Sequence, residues 1–320
     1  MKKQYVIGVD MGGTNTAFGI VDTRGSILFR DLISTAAYST GEAYVEALGN
    51  AINKLIADSG MDDQIKGIGI GAPNGNYYNG TLEDAANVPW AKNKVVPLAK
   101  MIAEKTNLPC TLTNDANAAA IGEMAYGVAK GMKDFMVITL GTGVGSGIVC
   151  NGQLVLGQDS YAGELGHITM IRYNGRPCGC GRTGCLETYA SASGVARTAR
   201  EFLEIKNDIP STLREIEDRP ITSKDVFEAA EKGDKIAIDI FNYTGAILGE
   251  AFANFVCYST PEAIILFGGL AHAGDYLLDP LKEALDKNVM DIFKGNTKIL
   301  LSALNDAEAA ILGASALAWE

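Results

Sequence analysis

One histidine and three cysteines of this sequence have the types and the spacing of a metal site. They are His167, Cys178, Cys180 and Cys185. One imidazole and three thiolates satisfy tetrahedral zinc completely and leave no open position for catalysis. Free thiols or a redox pair are the alternative, but the Cys-x-Cys spacing differs from the Cys-x-x-Cys of redox motifs. The pattern therefore predicts a structural zinc ion.

A glycine turn after the apolar segment 5–10 has the composition of a phosphate-binding loop. It contains Asp10, Gly12, Gly13 and Thr14. Glycine lets the backbone approach a ligand closely, and consecutive N–H groups can point at phosphate oxygens. The Thr14 hydroxyl could donate to the same ligand, and Asp10 could hold a water on Mg²⁺. A tight hairpin without a ligand is the alternative.

Two further glycine turns follow apolar strands later in the chain. They contain Gly141, Thr142 and Gly143, and then Gly268 and Gly269. The earlier turn superficially suggests a dinucleotide fingerprint, but an apolar strand follows it where that fingerprint needs a helix. The later turn suits a flat adenine ring, with a simple strand-to-helix turn as the alternative. The sequence has no G-x-x-x-x-G-K-[ST] motif, so a P-loop protein is excluded.

Two polar residues, Asn114 and Asp115, follow the predicted strand 110–113 and precede a predicted helix over 116–126. A carboxylate at a strand end could accept the proton of a hydroxyl group that attacks a phosphoryl group. The alternative is a helix N-cap, because Asn and Asp are both common at that position. The residues alone leave both interpretations of Asp115 open.

The overall charge and hydropathy limit the partners that we expect. The formal net charge is −11, from 38 acidic and 27 basic side chains. This excess of negative charge argues against nucleic acid and against anionic membranes as partners. No stretch offers eighteen uninterrupted apolar residues, and the first apolar segment is too short for a signal-peptide core. We therefore expect a cytoplasmic protein.

The chain of 320 residues is about twice as long as an ordinary domain, which predicts two lobes. Residues 19–28 and 147–155 look like two copies of one strand meander, each preceded by a strand and a glycine turn. Helical periodicity dominates the rest of the second half. The predicted helices there cover residues 188–206, 223–232, 235–258, 275–289 and 306–318.

Four motifs together resemble the ROK family of repressors, open reading frames and sugar kinases. They are Asp10-Met-Gly-Gly-Thr14, Leu140-Gly-Thr-Gly143, Gly163-Glu-Leu-Gly-His167 and Cys178-Gly-Cys-Gly-Arg-Thr-Gly-Cys-Leu-Glu187. The resemblance covers essentially the whole chain. It implies an α/β protein with a two-lobed, actin-like (ribonuclease H-like) ATPase fold, a duplicated three-strand meander and a ligand cleft between the lobes. It also implies a homodimer.

We expect the lobes to divide the chain near residue 113. The N-terminal lobe would be 1–113, completed by the C-terminal helix 306–320, and the C-terminal lobe would be 114–305, with the zinc loop at 167–185. The resemblance makes Asp115 the catalytic base. It assigns sugar binding to Gly75, Asn87, Asn114, Asp115, Glu164, His167 and Glu187. It assigns ATP and phosphate to the residues of the three glycine turns.

One loop departs from the family pattern. Asn74 stands where the family usually has a glycine after the proline, with Gly75 beside it. Asn tolerates left-handed backbone angles, so we expect the turn to survive. The contact of this loop with the sugar is the part of the site that the change affects.

The resemblance implies a kinase that phosphorylates the primary hydroxyl of a hexose, with ATP and Mg²⁺ for the chemistry and Zn²⁺ as a structural ion. Glucose is the expected sugar. N-acetylmannosamine, fructose, allose or mannose is the alternative, as is a non-catalytic sugar-responsive regulator. A repressor of this family would carry a DNA-binding helix-turn-helix before the first glycine turn, and only nine residues precede Asp10.

Overall fold

The computed structural model describes residues 3–319, apart from the side chains of residues 306 and 307. The chain divides into two compact units. The first contains the residues up to Met132, Gly147–Gly163 and the residues from Ser302 onward. The second contains Lys133–Ser146 and Glu164–Leu301. The chain therefore first passes from one unit to the other near Met132, whereas we expected this boundary at residue 113.

The first sheet contains β1 (Tyr5–Met11), β2 (Asn15–Asp22), β3 (Ile27–Ser34), β4 (Ile65–Gly71) and β8 (Cys110–Thr113), in the order β3-β2-β1-β4-β8. The first three strands pair antiparallel as a meander, and β4 and β8 extend the sheet in parallel. Buried apolar residues fill β1, β2 and β4, as expected for a sheet covered on both faces.

The second five-stranded sheet repeats this order. It contains β9 (Phe135–Leu140), β10 (Val144–Cys150), β11 (Gln153–Leu154), β12 (Ala263–Phe267) and β13 (Lys298–Leu301), in the order β11-β10-β9-β12-β13. Here too β10 and β11 are antiparallel, and β12 pairs in parallel with both of its neighbours. The predicted α/β fold with a duplicated three-strand meander is confirmed.

Three very short strands form a separate small sheet that the sequence did not predict. They are β5 (Gly75–Asn76), β6 (Thr81–Glu83) and β7 (Val95–Val96). The helices are α1 (Gly41–Ser59), α2 (Leu98–Thr106), α3 (Asp115–Ala125), α4 (Glu187–Ala190), α5 (Ala192–Ile205), α6 (Ser223–Glu231), α7 (Lys235–Ser259), α8 (Asp275–Asn288) and α9 (Asp306–Leu317). The predicted helix over 188–206 is in fact two helices, because Ser191 ends α4 and caps α5.

The C-terminal helix α9 packs directly on the backbone of the first sheet. A Cβ atom added at Gly8 would lie 2.0 Å from the Ile311 carbonyl oxygen, and one at Gly69 would lie 1.9 Å from the Ala314 carbonyl oxygen. Helix α3 approaches α9 in the same way, with Gly122 against Gly313. These close approaches hold α3 and α9 in the first unit. The boundary between the two units therefore lies after α3 and not at residue 113.

Helix α7 is the longest helix of the second unit and is mostly buried. Helix α8 packs along it, and Gly245 and Gly249 of α7 admit the α8 backbone closely. Among the helices of residues 3–319, none is both long enough and apolar enough to cross a membrane.

Candidate active site

Two carboxylates of the predicted site, Asp10 and Asp115, lie together in the first unit. Asp10 is near the end of β1, and Asp115 is the first residue of α3, directly after β8. The N-cap of α3 is Asn114, whose side-chain oxygen accepts a 2.7 Å hydrogen bond from the Asn117 backbone N–H. The cap function therefore belongs to Asn114, and the Asp115 carboxylate is available for other chemistry.

Both carboxyl groups bind protons more tightly than ordinary aspartates do. Burial, and then the charge of Asp115, raise the pKa of Asp10 to about 6. The Asp115 side chain is partly open to solvent, but protein atoms pack around the rest of it. The resulting loss of hydration raises the pKa of the Asp115 carboxyl group. A hydrogen bond of 2.8 Å from the Ala116 backbone N–H to Oδ1 opposes the shift. A carboxylate with a raised pKa is a better proton acceptor, as general-base catalysis requires.

The raised pKa of Asp10 predicts that Asp10→Asn stabilises the protein at neutral pH. The folded state holds the Asp10 proton until about pH 6, whereas an ordinary aspartate releases it near 3.8. Ionisation of Asp10 thus costs stability, a cost that is absent below about pH 4 and complete above about pH 6. A shift of two units corresponds to at most about 3 kcal/mol. Urea unfolding at about pH 8 should show the gain.

The same comparison at about pH 5 should show a smaller gain, because part of the Asp10 population is already protonated there. The surface variant Asp63→Asn is the control, since Asp63 is exposed. An Asp10→Asn protein that was less stable than the parent at about pH 8 would contradict the electrostatic account of this site.

The first glycine turn connects β1 and β2, and Asn87 lies against it. The Gly12 N–H donates to the Asn15 carbonyl at 2.9 Å, which closes the turn. A Cβ atom at Gly13 would lie 2.5 Å from the Asn87 carbonyl oxygen, so any other residue would displace that segment. Thr14 and Asn87 are both exposed. Nearby Trp90 is buried and packs on Tyr44 with ring centroids 5.1 Å apart, so its function is packing.

The loop with the unusual Asn74 keeps its turn, as predicted. Asn74 has a φ of 52°, in the left-handed region, and its Nδ2 donates to the Asp84 carbonyl at 3.0 Å. Gly75 is buried in β5, and a Cβ atom there would lie 2.4 Å from the Thr113 carbonyl oxygen. Close packing against β8 is therefore one physical reason for a glycine at this position.

The predicted metal ligands converge in the second unit. The ligand atoms of His167, Cys178, Cys180 and Cys185 all lie within 4.8 Å of one another. The Cys178 Sγ and the His167 Nδ1 are 3.6 Å apart, and the sulfurs of Cys180 and Cys185 are 3.7 Å apart. A tetrahedral ion with metal–sulfur bonds of about 2.3 Å separates its sulfur ligands by about 3.8 Å. The donor set and its spacing therefore fit zinc.

Two carboxylates flank this cluster. The Glu187 Oε1 lies 3.0 Å from the Cys178 Sγ and 3.6 Å from the His167 Nδ1. The His167 Nε2 lies 3.9 Å from the Glu164 Oε2. Arg182 donates to the His167 carbonyl at 3.0 Å and so fixes the backbone beneath the imidazole. His167 thus presents one ring nitrogen to the cluster and the other to a carboxylate.

The two later glycine turns also lie in the second unit. A Cβ atom at Gly143 would lie 2.7 Å from the Glu187 Oε2, so this turn lies against the start of α4, directly after the predicted metal loop 167–185. Gly268 has a φ of 103° and packs against Leu140, a geometry that favours glycine. Beside both turns lies a cavity of about 500 Å³. Its lining includes Gly141, Thr142, Phe227, Phe241, Gly269 and His272.

The structure thus gathers the predicted residues into two groups, one in each unit. Phe227 and Lys224 of the cavity were not predicted, because no motif spacing singles out side chains on a surface helix such as α6. Arg176, which lies in the sequence between the predicted metal ligands His167 and Cys178, was not predicted to take part in the site either.

A comparison with known families identifies the class of protein. A model of the ROK family matches residues 6–320, and the chain belongs to this family.

Three similar proteins align with this chain over nearly its full length. A glucokinase of Halalkalibacterium halodurans is 37% identical over 310 residues, which cover 96% of this chain and 93% of that protein. A glucokinase of Thermotoga maritima is 34% identical, over 100% of this chain and 99% of that protein. The crystal structure of a ROK family glucokinase from Streptomyces griseus in complex with glucose and AMPPNP is 32% identical, with a TM-score of 0.79 and 98% of each chain covered.

Proposed function

We propose that this protein transfers the γ-phosphoryl group of ATP to the primary hydroxyl of glucose. The full-length relatives named glucokinase support this function, and so does the similar structure that was solved with glucose and AMPPNP. The observation that carries the proposal is the placement of Asp115. Its carboxylate is exposed at the surface and has a raised pKa, and the neighbouring Asn114 already caps the helix.

Asp115 would act as the general base. Phosphoryl transfer needs alignment of the nucleophile and neutralisation of charge more than it needs covalent help from the protein. The Asp115 carboxylate would accept the proton of the sugar hydroxyl while the hydroxyl oxygen bonds to the γ-phosphorus and ADP leaves. The Ala116 N–H on Oδ1 fixes one oxygen and leaves the other for the substrate.

Carboxylate, amide and imidazole side chains would bind the remaining sugar hydroxyls. Carboxylates accept hydroxyl protons, and amides both donate and accept, which suits a polyhydroxylated ligand. The proposed residues are Asn87, Asn114, Glu164, His167 and Glu187, with the backbone at Gly75. Glu164 and Glu187 on either side of His167 support this assignment.

The glycine turns would bind ATP. In the first unit the proposed residues are Asp10, Gly12, Gly13 and Thr14, with Asp10 holding a water on Mg²⁺, which neutralises phosphate charge when bound. In the second unit they are Gly141, Thr142 and Gly143 for phosphate. The adjoining cavity, which Gly269 lines and Gly268 precedes in the chain, has the volume and the aromatic lining for adenine.

We also propose that the cluster of His167, Cys178, Cys180 and Cys185 holds a structural zinc ion. Four protein ligands close the coordination shell, so the ion would shape the loop rather than bind substrate. All six cysteines have free thiols, and a zinc site of thiolates fits a reducing compartment such as the cytoplasm. The homodimer stays a prediction from the resemblance.

The test of this function is ADP release from ATP and Mg²⁺ with a panel of hexoses. We expect glucose to give the highest kcat/KM, and N-acetylmannosamine, fructose, allose and mannose to give lower values. A control without sugar measures background ATP hydrolysis. If another hexose is preferred, the proposed sugar is wrong. If none of the hexoses releases ADP above background, the kinase function is wrong as well.

A further inference from the structure

Arg176, within the metal loop, has an almost completely buried side chain. Only 6% of it is exposed, yet it carries a permanent charge. A buried charge is costly unless hydrogen bonds and an opposite charge compensate it. The partners of Arg176 should therefore show what this side chain holds in place.

The guanidinium of Arg176 bonds to two helices at once. Its Nη1 donates to the Thr188 carbonyl of α4 at 2.7 Å and to the Gly194 carbonyl of α5 at 3.4 Å. Its Nη2 donates to the Thr198 hydroxyl at 2.9 Å and to the Glu201 carboxylate at 2.5 Å, both on α5. Four acceptors in fixed directions match the rigid fork of an arginine, which a lysine cannot reproduce.

The backbone and the aromatic contacts of Arg176 reinforce the same connection. Its N–H donates to the Tyr189 hydroxyl at 2.8 Å, and its guanidinium lies over the Tyr189 ring at 4.4 Å from the centroid. Its carbonyl accepts a 2.8 Å hydrogen bond from the Gly184 N–H, beside Cys185. One residue therefore joins the metal loop to the start of α4.

The residue at the start of α4 is Glu187, a proposed sugar ligand. Thr188 and Tyr189, which Arg176 contacts directly, are the next two residues. The Glu187 carboxylate itself lies against Cys178, two residues after Arg176. We propose that Arg176 is a positioning residue that orients Glu187, and with it the His167 imidazole, for sugar binding. This inference rests on the proposed function, because it assumes that Glu187 and His167 bind the sugar.

This function differs from that of the proposed zinc ion. The four predicted metal ligands would connect parts of the loop 167–185 to one another, whereas Arg176 connects this loop to α4 and α5. Loss of the arginine fork should therefore weaken sugar binding and leave the metal content unchanged. A merely structural function would instead lower stability without a specific change in sugar affinity.

The test compares Arg176→Lys with Arg197→Lys in the zinc-loaded protein. Arg197 is the matched control, because its Nε also binds Glu201, at 3.1 Å, and no hydrogen bond links its side chain to the metal loop in the described part of the chain. Calorimetry without nucleotide measures the glucose Kd, and steady-state kinetics measure KM for glucose and for ATP. We expect Arg176→Lys to raise the glucose Kd and KM about tenfold, by analogy with residues that orient metal ligands, whose loss costs about 10- to 100-fold in metal affinity or activity.

KM for ATP should change much less, and both variants should retain one zinc per chain. If Arg176→Lys does not fold, Glu201→Gln replaces it. That variant should raise the glucose Kd in the same direction, and Arg197→Lys should not. A glucose Kd that is equal in the Arg176 or Glu201 variant and in the Arg197 control would overturn the inference. Parent protein that neither binds nor phosphorylates glucose would instead refute the proposed function.

Discussion

Asp115→Asn should reduce kcat with glucose by a factor of about 10² to 10⁴, the usual contribution of a general base. The amide has the shape of the carboxylate and can still accept the Ala116 hydrogen bond through its oxygen. It cannot take the proton of the attacking hydroxyl. Rapid-quench measurement of phosphoryl transfer at saturating glucose and ATP would show the loss directly.

The glucose Kd of Asp115→Asn should stay close to that of the parent, because an amide oxygen still accepts a hydroxyl hydrogen bond. Asp63→Asn, on the exposed turn before β4, is the control for the substitution itself. Full turnover by Asp115→Asn would remove the base from the mechanism. A reduced glucose affinity with an unchanged kcat at saturating glucose would mean that Asp115 binds the sugar and does not activate it.

Of the substitutions proposed for this protein, Cys185→Ser should lower the free energy of unfolding most. Cys185 is completely buried, and its sulfur is one of the four proposed zinc ligands. Removal of a structural metal ligand belongs to the few changes that cost more than about 4 kcal/mol. For a chain with units of this size, that loss lowers Tm by about 10 °C or more. Differential scanning calorimetry and metal analysis by mass spectrometry measure both effects.

The glucose affinity should fall in the same variant, because Glu187 and His167 border the cluster. Cys257→Ser is the matched control, since Cys257 is an exposed thiol on α7 that lies outside the cluster. We expect the Cys257 variant to keep one zinc per chain and the parental Tm. Parent protein purified without stoichiometric zinc, or equal zinc content in the two variants, would refute the proposed metal site.

The sequence was most informative where one short segment contains the whole signal. The cluster of His167, Cys178, Cys180 and Cys185 lies within 19 residues, and the types and spacing of these residues are enough to predict a zinc site. The repeated meander was also visible, because strand, glycine turn and return strand follow one another without insertions. Both predictions depend on residues that are close together in the sequence.

Features that depend on tertiary contacts were not predictable in this way. The small sheet of β5, β6 and β7 consists of strands of two or three residues, too short to show an alternating pattern. The crossing between the units was placed too early, because only the packed structure shows α3 against α9. The Arg176–Glu201 pair joins residues 25 positions apart on different elements, and no spacing rule connects them.

Asp115 shows how the structure sharpens an open alternative. From the sequence, the residue could be a helix N-cap or a base. The structure gives the cap to Asn114, whose oxygen bonds to the Asn117 N–H. The N-cap of α5, Ser191, was not predicted, because one continuous helical pattern covers residues 188–206 and only the structure shows the hydrogen bond from the Gly194 N–H to the Ser191 hydroxyl.

The most direct test of the proposed function is the identity of the product. Purified protein with Mg²⁺, ATP and glucose should yield ADP and one new phosphate monoester, and two-dimensional ³¹P–¹H NMR should couple its phosphorus to the two protons on the primary carbon of the sugar. That result would show transfer to the primary hydroxyl. Unchanged glucose, or phosphorus coupled to the anomeric proton, would contradict the account in which Asp115 activates the primary hydroxyl.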